Sequence, residues 1–244
     1  MVEIKSQFDP ELRKIIKKKK QIAIIPVGSI EQHGPHLPIS TDSDIVTEIA
    51  ERLSEKMNCF LLPTLTYGVS FEHSPFFNIS IKETTLRTIM NDLCKSLLAN
   101  NIKTVFIING HHGNQKPLKN IDEKFRKLSK NKLRIFSLSY WHFMQREFDH
   151  AGFVETSLML AISKNTKMKL AKKGLVTDGM KQHQIKKLGQ LASKSFPKVT
   201  KNGIWGDPRN ATKRDGLVIL DEIMRNLGKK CQTCLTEHSS KLHQ

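Results

Sequence analysis

Five side chains of this 244-residue chain have the types and spacing of a hydrolytic metal site: Glu31, His33, Asp42, His111 and Glu155. The first three lie in Gly28-Ser-Ile-Glu-Gln-His-Gly-Pro-His-Leu-Pro-Ile-Ser-Thr-Asp42, the fourth in Asn109-Gly-His-His-Gly-Asn114, and the fifth in His150-Ala-Gly-Phe-Val-Glu-Thr-Ser157. Carboxylate oxygens and imidazole nitrogens suit Zn²⁺, Mn²⁺ or Fe²⁺, and a bridging carboxylate can hold two such ions. Glu31 and His33 stand two apart, so in an extended loop they share a face and reach one centre. Taken singly, each residue has a simpler use. Asp42 reads as a helix N-cap, Glu155 as a complement to a helix dipole, Glu31 as a surface charge and the His111-His112 pair as a turn. The combination points to metal chemistry.

The elements around these residues read as alternating strands and helices. Apolar runs at 22–27, 58–63, 103–109 and 133–139 have the character of buried strands. Helical patterning covers 9–20, a stretch opened by Asp42, and then 83–100, 115–129, 154–163 and 210–229. The lysine run Lys17–Lys20 reads as a solvated last turn. This order predicts an α/β fold of three layers, α/β/α, with a mostly parallel central sheet. Ligand sites in such sheets collect at the carboxyl ends of strands, where three of the polar motifs fall. The long connection 64–82, carrying Phe71, His73, Phe76 and Phe77, reads as a lid, a binding loop or a contact between subunits. The stretch 165–200 is lysine-rich and shows no clear period.

Composition bounds the rest. The chain reads as one domain over 1–244, with a core at about 21–222 and a polar tail at 230–244. No apolar run spans a bilayer and no secretory signal opens the chain, so the cytoplasm is the expected compartment. The net charge of +17 fits an anionic substrate or a nucleic-acid partner. No nucleic-acid-binding motif accompanies it, so a basic nucleic-acid-binding protein is the distant alternative. Cys59 and Cys94 read as small core hydrophobes. Cys231-Gln-Thr-Cys234, followed by His238 and His243, lacks the ligand spacing of a zinc ribbon or finger and reads as part of the tail.

The motifs together resemble the creatininase family of metal-dependent amidohydrolases. Those that carry the resemblance are Gly28 to Pro38, Asn109 to Asn114, His150-Ala-Gly with Glu155-Thr-Ser, and Gly206-Asp-Pro with Ala211-Thr. The resemblance implies a three-layer α/β/α fold, two divalent ions per subunit (zinc, manganese or iron) and a homo-oligomer, commonly a hexamer. By it, Glu31, Asp42 and His111 hold one ion, Asp42 bridges to a second held by His33, and His150 shuttles a proton. Where creatininase carries a ligating glutamate, this chain has Gly113, and the vacant position is assigned to Glu155. His73, His112, Asn114 and Trp141 are expected at the substrate, with Asn109, Asn114 or the Gly113 turn available to an oxyanion. Trp141 is the one tryptophan expected near the pocket. The reaction expected is hydrolysis of a non-peptide C–N bond, in a cyclic amide or a formamide, by metal-activated water. Two substrates stand open: creatinine and a formylaminopyrimidine nucleotide of flavin or deazaflavin biosynthesis. The anionic nucleotide is favoured by the basic surface.

Overall fold

The computed structural model describes residues 2–18, 21–128 and 132–236. Strand β1 (Val2–Glu3) and helix α1 (Asp9–Lys18) lead into β2 (Ile22–Val27), α2 (Thr41–Met57), β3 (Phe60–Leu61) and α3 (Glu83–Ala99). Then come β4 (Thr104–Asn109), α4 (Gln115–Leu118), α5 (Ile121–Leu128), β5 (Arg134–Ser139), α6 (Phe153–Ile162), α7 (Gln182–Ala192) and α8 (Lys213–Thr236). The strands form one sheet in the order β1-β3-β2-β4-β5, parallel at every pairing.

Alternation along β2 and β4 divides the core in two. Ile22, Ile24, Phe106 and Ile108 face α2, α6 and α8. Ala23, Ile25, Val105 and Ile107 face the opposite way, with Leu86 and Met90 of α3 and Phe125 of α5. Every residue of β2 and β4 is therefore buried, as expected for strands covered on both sides. The three-layer expectation holds. Against α6, Gly216 of α8 is needed for close approach: a Cβ there would stand 1.8 Å from the Ser157 carbonyl.

Several boundaries differ from the sequence reading. The strand expected over 58–63 pairs only at Phe60–Leu61, because Pro26 of β2, which faces it, has no N–H to continue the ladder. The helix expected over 115–129 is two helices, broken where Asn120 takes a left-handed φ of 58°. Strand β1 carries too little pattern to read. Helix α7 and the single turns Met168–Leu170 and Phe196–Lys198 fill the stretch left unassigned. Lys19 and Lys20 of the basic run lie outside the described residues, as do His238 and His243.

The polar tail is the largest correction. Helix α8 continues to Thr236, and Cys231 and Cys234 are buried in the core. Leu220, Ile223, Leu227, Cys231 and Cys234 make one stripe at helical spacing. The exposed Lys229 and Lys230 in between hide its continuation. Shortening the stripe should cost stability. Leu227→Ala is expected to lose about 2–5 kcal/mol in denaturant unfolding, whereas Val218→Ala, 63% exposed on the same helix, should change it by less than about 0.5 kcal/mol.

Candidate metal centre

The polar motifs converge at the carboxyl ends of β2, β4 and β5. Glu31 and His33 sit in the loop after β2. That loop is pinned by Glu31 N–H donating to the Ile39 carbonyl at 3.0 Å. Ser29 Oγ donates to Glu31 Oε2 at 3.0 Å. The Glu31 carbonyl takes the Nδ1 proton of His33 at 3.1 Å, which leaves Nε2 as the free nitrogen. That nitrogen lies 3.2 Å from Asp42 Oδ1 and 3.5 Å from Glu155 Oε2.

Asp42 is not the N-cap of α2. Ser40 holds that position, and the Asp42 carboxylate turns inward to the cluster. At the end of β4, His111 Nε2 donates to the Val69 carbonyl at 2.8 Å. Its Nδ1 then faces Asp42 Oδ2 at 3.0 Å and Glu31 Oε2 at 3.2 Å. Both imidazoles thus have one proton fixed by a carbonyl and the other nitrogen aimed at carboxylates, the usual arrangement behind a ligating histidine.

Glu155 is delivered by the first turn of α6. The Ala151 N–H donates to its Oε2 at 2.6 Å. Asp149 secures the turn by accepting from Val154 N–H at 2.8 Å and Glu155 N–H at 3.3 Å. Ala151 adopts a left-handed φ of 52°, a strained state for a residue with a side chain.

Three overlapping groups result among the described residues, Glu31–Asp42–His111, His33–Asp42–Glu155 and Glu31–His33–His150, with Asp42 common to the first two. Within each, one donor atom per residue lies within 4.8 Å of the others. Burial alone would depress the pKa of His33, but Asp42 and Glu155 push it up to about 10. Burial also opposes the charge on His111, where Glu31 and Asp42 raise the pKa to about 10. Asp42 is held below the usual carboxylate range, because His33 and His111 outweigh its burial. Burial pushes Glu155 up to about 8, against the pull of His33. Glu31 Oε1, Asp42 Oδ2 and Glu155 Oε1 are buried without an aligned hydrogen bond. Buried carboxylate oxygens of this kind demand cations, and the donor set fits divalent ions.

The other expected residues divide. His73 joins the cluster, its Nε2 at 3.1 Å from Glu31 Oε1. His150 Nε2 lies 3.0 Å from the Gln32 backbone carbonyl and 3.0 Å from the Gln32 side-chain amide nitrogen, and its ring lies 4.3 Å from that of His33. Burial and then the positive charge of His33 hold the His150 pKa well below its usual value. His112 lines a cavity of about 210 Å³ beside Glu31, Asp42, His111 and His150.

Asn114 and Trp141 do not line it. The Asn114 amide accepts from Val69 N–H and donates to the Gly28 carbonyl, tying three loops together. Asn109 is similarly engaged, with Ser139 Oγ and His111 N–H. Trp141 is buried and stacks on Phe148, 4.7 Å away, behind His112. The cavity does hold a tryptophan, Trp205, in place of the one expected.

Sequence reading missed Glu72, Gln32, Asp149, Phe196 and Trp205. Glu72 adjoins His73 in the long loop, a signal that was available. Phe196 comes from the stretch without period, and its ring packs 4.7 Å from His73 and 4.8 Å from His150.

Comparison with known proteins gives a consistent result. The family model described as "Creatininase: Creatinine amidohydrolase" matches residues 7–231. A mycofactocin precursor peptide peptidase of Mycobacterium ulcerans (strain Agy99) is 30% identical over 217 residues, covering 82% of this chain and 80% of its own length. A 2-amino-5-formylamino-6-ribosylaminopyrimidin-4(3H)-one 5'-monophosphate deformylase of Methanosphaera stadtmanae is 31% identical over 157 residues, 63% of this chain and 65% of its own. A crystal structure of creatininase superposes with a TM-score of 0.78 at 20% identity, over 94% of this chain and 96% of that one. Creatininase structures of the same fold include a zinc–zinc form and a manganese form.

Gly113 has a local reason. A Cβ there would meet the Val69 carbonyl at 2.1 Å, His111 Nε2 at 2.6 Å and Glu72 Oε1 at 2.8 Å. Gly113→Ala should therefore push the 69–72 segment away and free His111 from Val69. The expected cost is about 1–3 kcal/mol of stability, with faster amide exchange at Val69–His73 as the readout; unchanged exchange would contradict it.

Proposed function

The chain belongs to the creatininase family, and on that premise we propose that it is a metal-dependent amidohydrolase. Glu31, Asp42 and His111 hold one divalent ion, and His33, Asp42 and Glu155 a second. The observation that carries this reading is the set of three buried carboxylate oxygens without aligned hydrogen bonds, facing imidazole nitrogens that have no other duty. The ions are zinc, manganese or iron, to which mixed nitrogen and oxygen donors are suited. When bound, they supply an acidified water and a polarised amide carbonyl.

The chain's own residues do the rest. His150 Nε2 lies 3.0 Å from both the Gln32 backbone carbonyl and the Gln32 side-chain amide nitrogen, and in the tautomer that donates to the carbonyl Nδ1 carries a lone pair beside the cluster, 3.8 Å from Glu31 Oε1. That nitrogen takes the proton of the attacking water and returns it to the departing amide nitrogen, a general acid–base role worth about 10²–10⁴-fold. His73 fixes Glu31 through its Nε2, and Gln32 places His73 by a 3.0 Å contact to Nδ1. His112, backed by Trp141 and Phe148, forms a wall for the substrate.

The substrate is a small amide. A cavity of about 210 Å³ admits one planar ring and its reacting group. Beyond it, and sharing Glu72, His112 and Ser193, lies an outer groove carrying Lys82, Lys119, Lys194 and Lys230, with Asp122 and a Lys116–Glu83 ion pair at 2.8 Å. Those lysines favour an anionic tail on the substrate. A formylaminopyrimidine nucleotide therefore suits the site better than creatinine. The exposed Tyr67, Phe71, Phe77 and Ile79, all on the loop after β3, suit a homo-oligomer.

Metal analysis and activity test the reading together. Purified protein should carry about one to two divalent ions per chain and release formate from the nucleotide. Glu31→Gln and His111→Ala should each lose ions and at least about 10³-fold in kcat/KM, whereas His150→Asn should keep its ions and lose about 10²–10⁴-fold in kcat. Unchanged ion content and activity in the first two variants would contradict the site. Ion affinity should also rise with pH. His33 and His111 hold protons up to about 10, so each ion must displace one and competes better as pH climbs through neutrality. Calorimetry in buffers of different ionisation enthalpy measures the proton release.

A further inference from the structure

Glu72 is a carboxylate that the proposed chemistry leaves unused. It lines both the cavity and the outer groove. Its side chain is 16% exposed, and its nearest charged partner among the described residues is His111 Nε2 at 3.8 Å. That nitrogen is already committed to the Val69 carbonyl at 2.8 Å. Glu72 also stands on the Nε2 side of His111, whereas Glu31 and Asp42 stand on the Nδ1 side. It is therefore apart from both ion groups. Gly113 makes room for it: a side chain at 113 would run into the Glu72 carboxylate.

The inner cavity is lined by no lysine and no arginine among the described residues. A mostly buried carboxylate with no lysine or arginine beside it, and with His111 only at 3.8 Å and turned to the Val69 carbonyl, favours N–H donors on whatever enters, and planar two-donor groups pair with it best. Phe148, Phe196 and Trp205 line the same cavity and suit a flat ring.

We propose that Glu72 is a specificity-determining residue that receives a planar, N–H-bearing group of the substrate, an amidine, guanidine or aminopyrimidine edge. It fills the space left by Gly113 without joining the ion ligands. The proposal rests on the amidohydrolase reading only for the placement of the scissile bond near the ion cluster. A substrate would then be sorted twice: its N–H edge at Glu72 and its anionic end among the outer lysines.

The test uses benzamidine and benzamide, nearly equal in shape and differing in charge and donors. Calorimetry on the metal-loaded full chain gives the ratio of their affinities in the wild type, Glu72→Gln and Glu72→Ala. Both variants should lower the preference for benzamidine about ten- to hundredfold, the size of a charge-assisted contact, with ion content and melting temperature unchanged. A ratio that stays the same in both variants overturns the role given to Glu72. Failure of the wild type to hold ions overturns the amidohydrolase reading instead. The probe ratio still reports on Glu72 in that case, since neither probe depends on turnover.

Discussion

Three carboxylates buried at one rim of a parallel sheet set the terms for everything around them. Glu31, Asp42 and Glu155 are each no more than 2% exposed. Removing such groups from water costs several kcal/mol apiece unless positive charge and hydrogen bonds offset it. The fold supplies imidazoles at 3.0–3.5 Å from them. It still leaves three oxygens without an aligned donor. A structure that concentrates this much negative charge in its interior has a reason beyond packing, and cation binding is the reason that fits the donor set.

The loops bearing these groups are held by backbone contacts. The Asn114 amide joins Gly28 to Val69, so the loop after β2 and the loop after β3 move together. Gly68 lies against the Gly28 carbonyl, closer than any side chain would allow. Asp149 caps α6 and thereby sets the height of Glu155 above the sheet. Burial raises the Asp149 pKa to about 7 despite its backbone hydrogen bonds. Such fixation is what pre-organised chemistry requires, because ligands placed in advance cost nothing to rearrange at the moment of reaction.

Much of this was legible in the sequence, and the reason is local. Strands β2 and β4 are apolar on both faces, which only a doubly covered parallel sheet explains. The ion-cluster candidates announced themselves because carboxylates and imidazoles followed those strands. What stayed hidden depends on contacts distant in sequence. Trp141 reads as a pocket residue yet packs behind His112. Trp205, which does line the cavity, arrives through pairing with His150 in an isolated bridge. Asn114 reads as an oxyanion donor yet ties loops. Glu72 gains meaning only beside Gly113, 41 positions away in the chain. The α8 stripe was concealed by two lysines at its midpoint.

The cavity and its surroundings carry opposite charge. Acidic groups and imidazoles line the interior, and lysines dominate the outer groove. The net charge of +17 therefore says more about the approach to the site than about its chemistry. The proposed metal chemistry turns on Asp42, shared by two of the three donor groups. Anomalous diffraction from crystals grown with Mn²⁺ examines that dependence directly. Two peaks flanking the Asp42 carboxylate, about 3.5–4 Å apart, are expected from a bridged pair of ions. Full-chain crystals with manganese elsewhere and no peak among Glu31, His33, Asp42, His111 and Glu155 would contradict the shared centre.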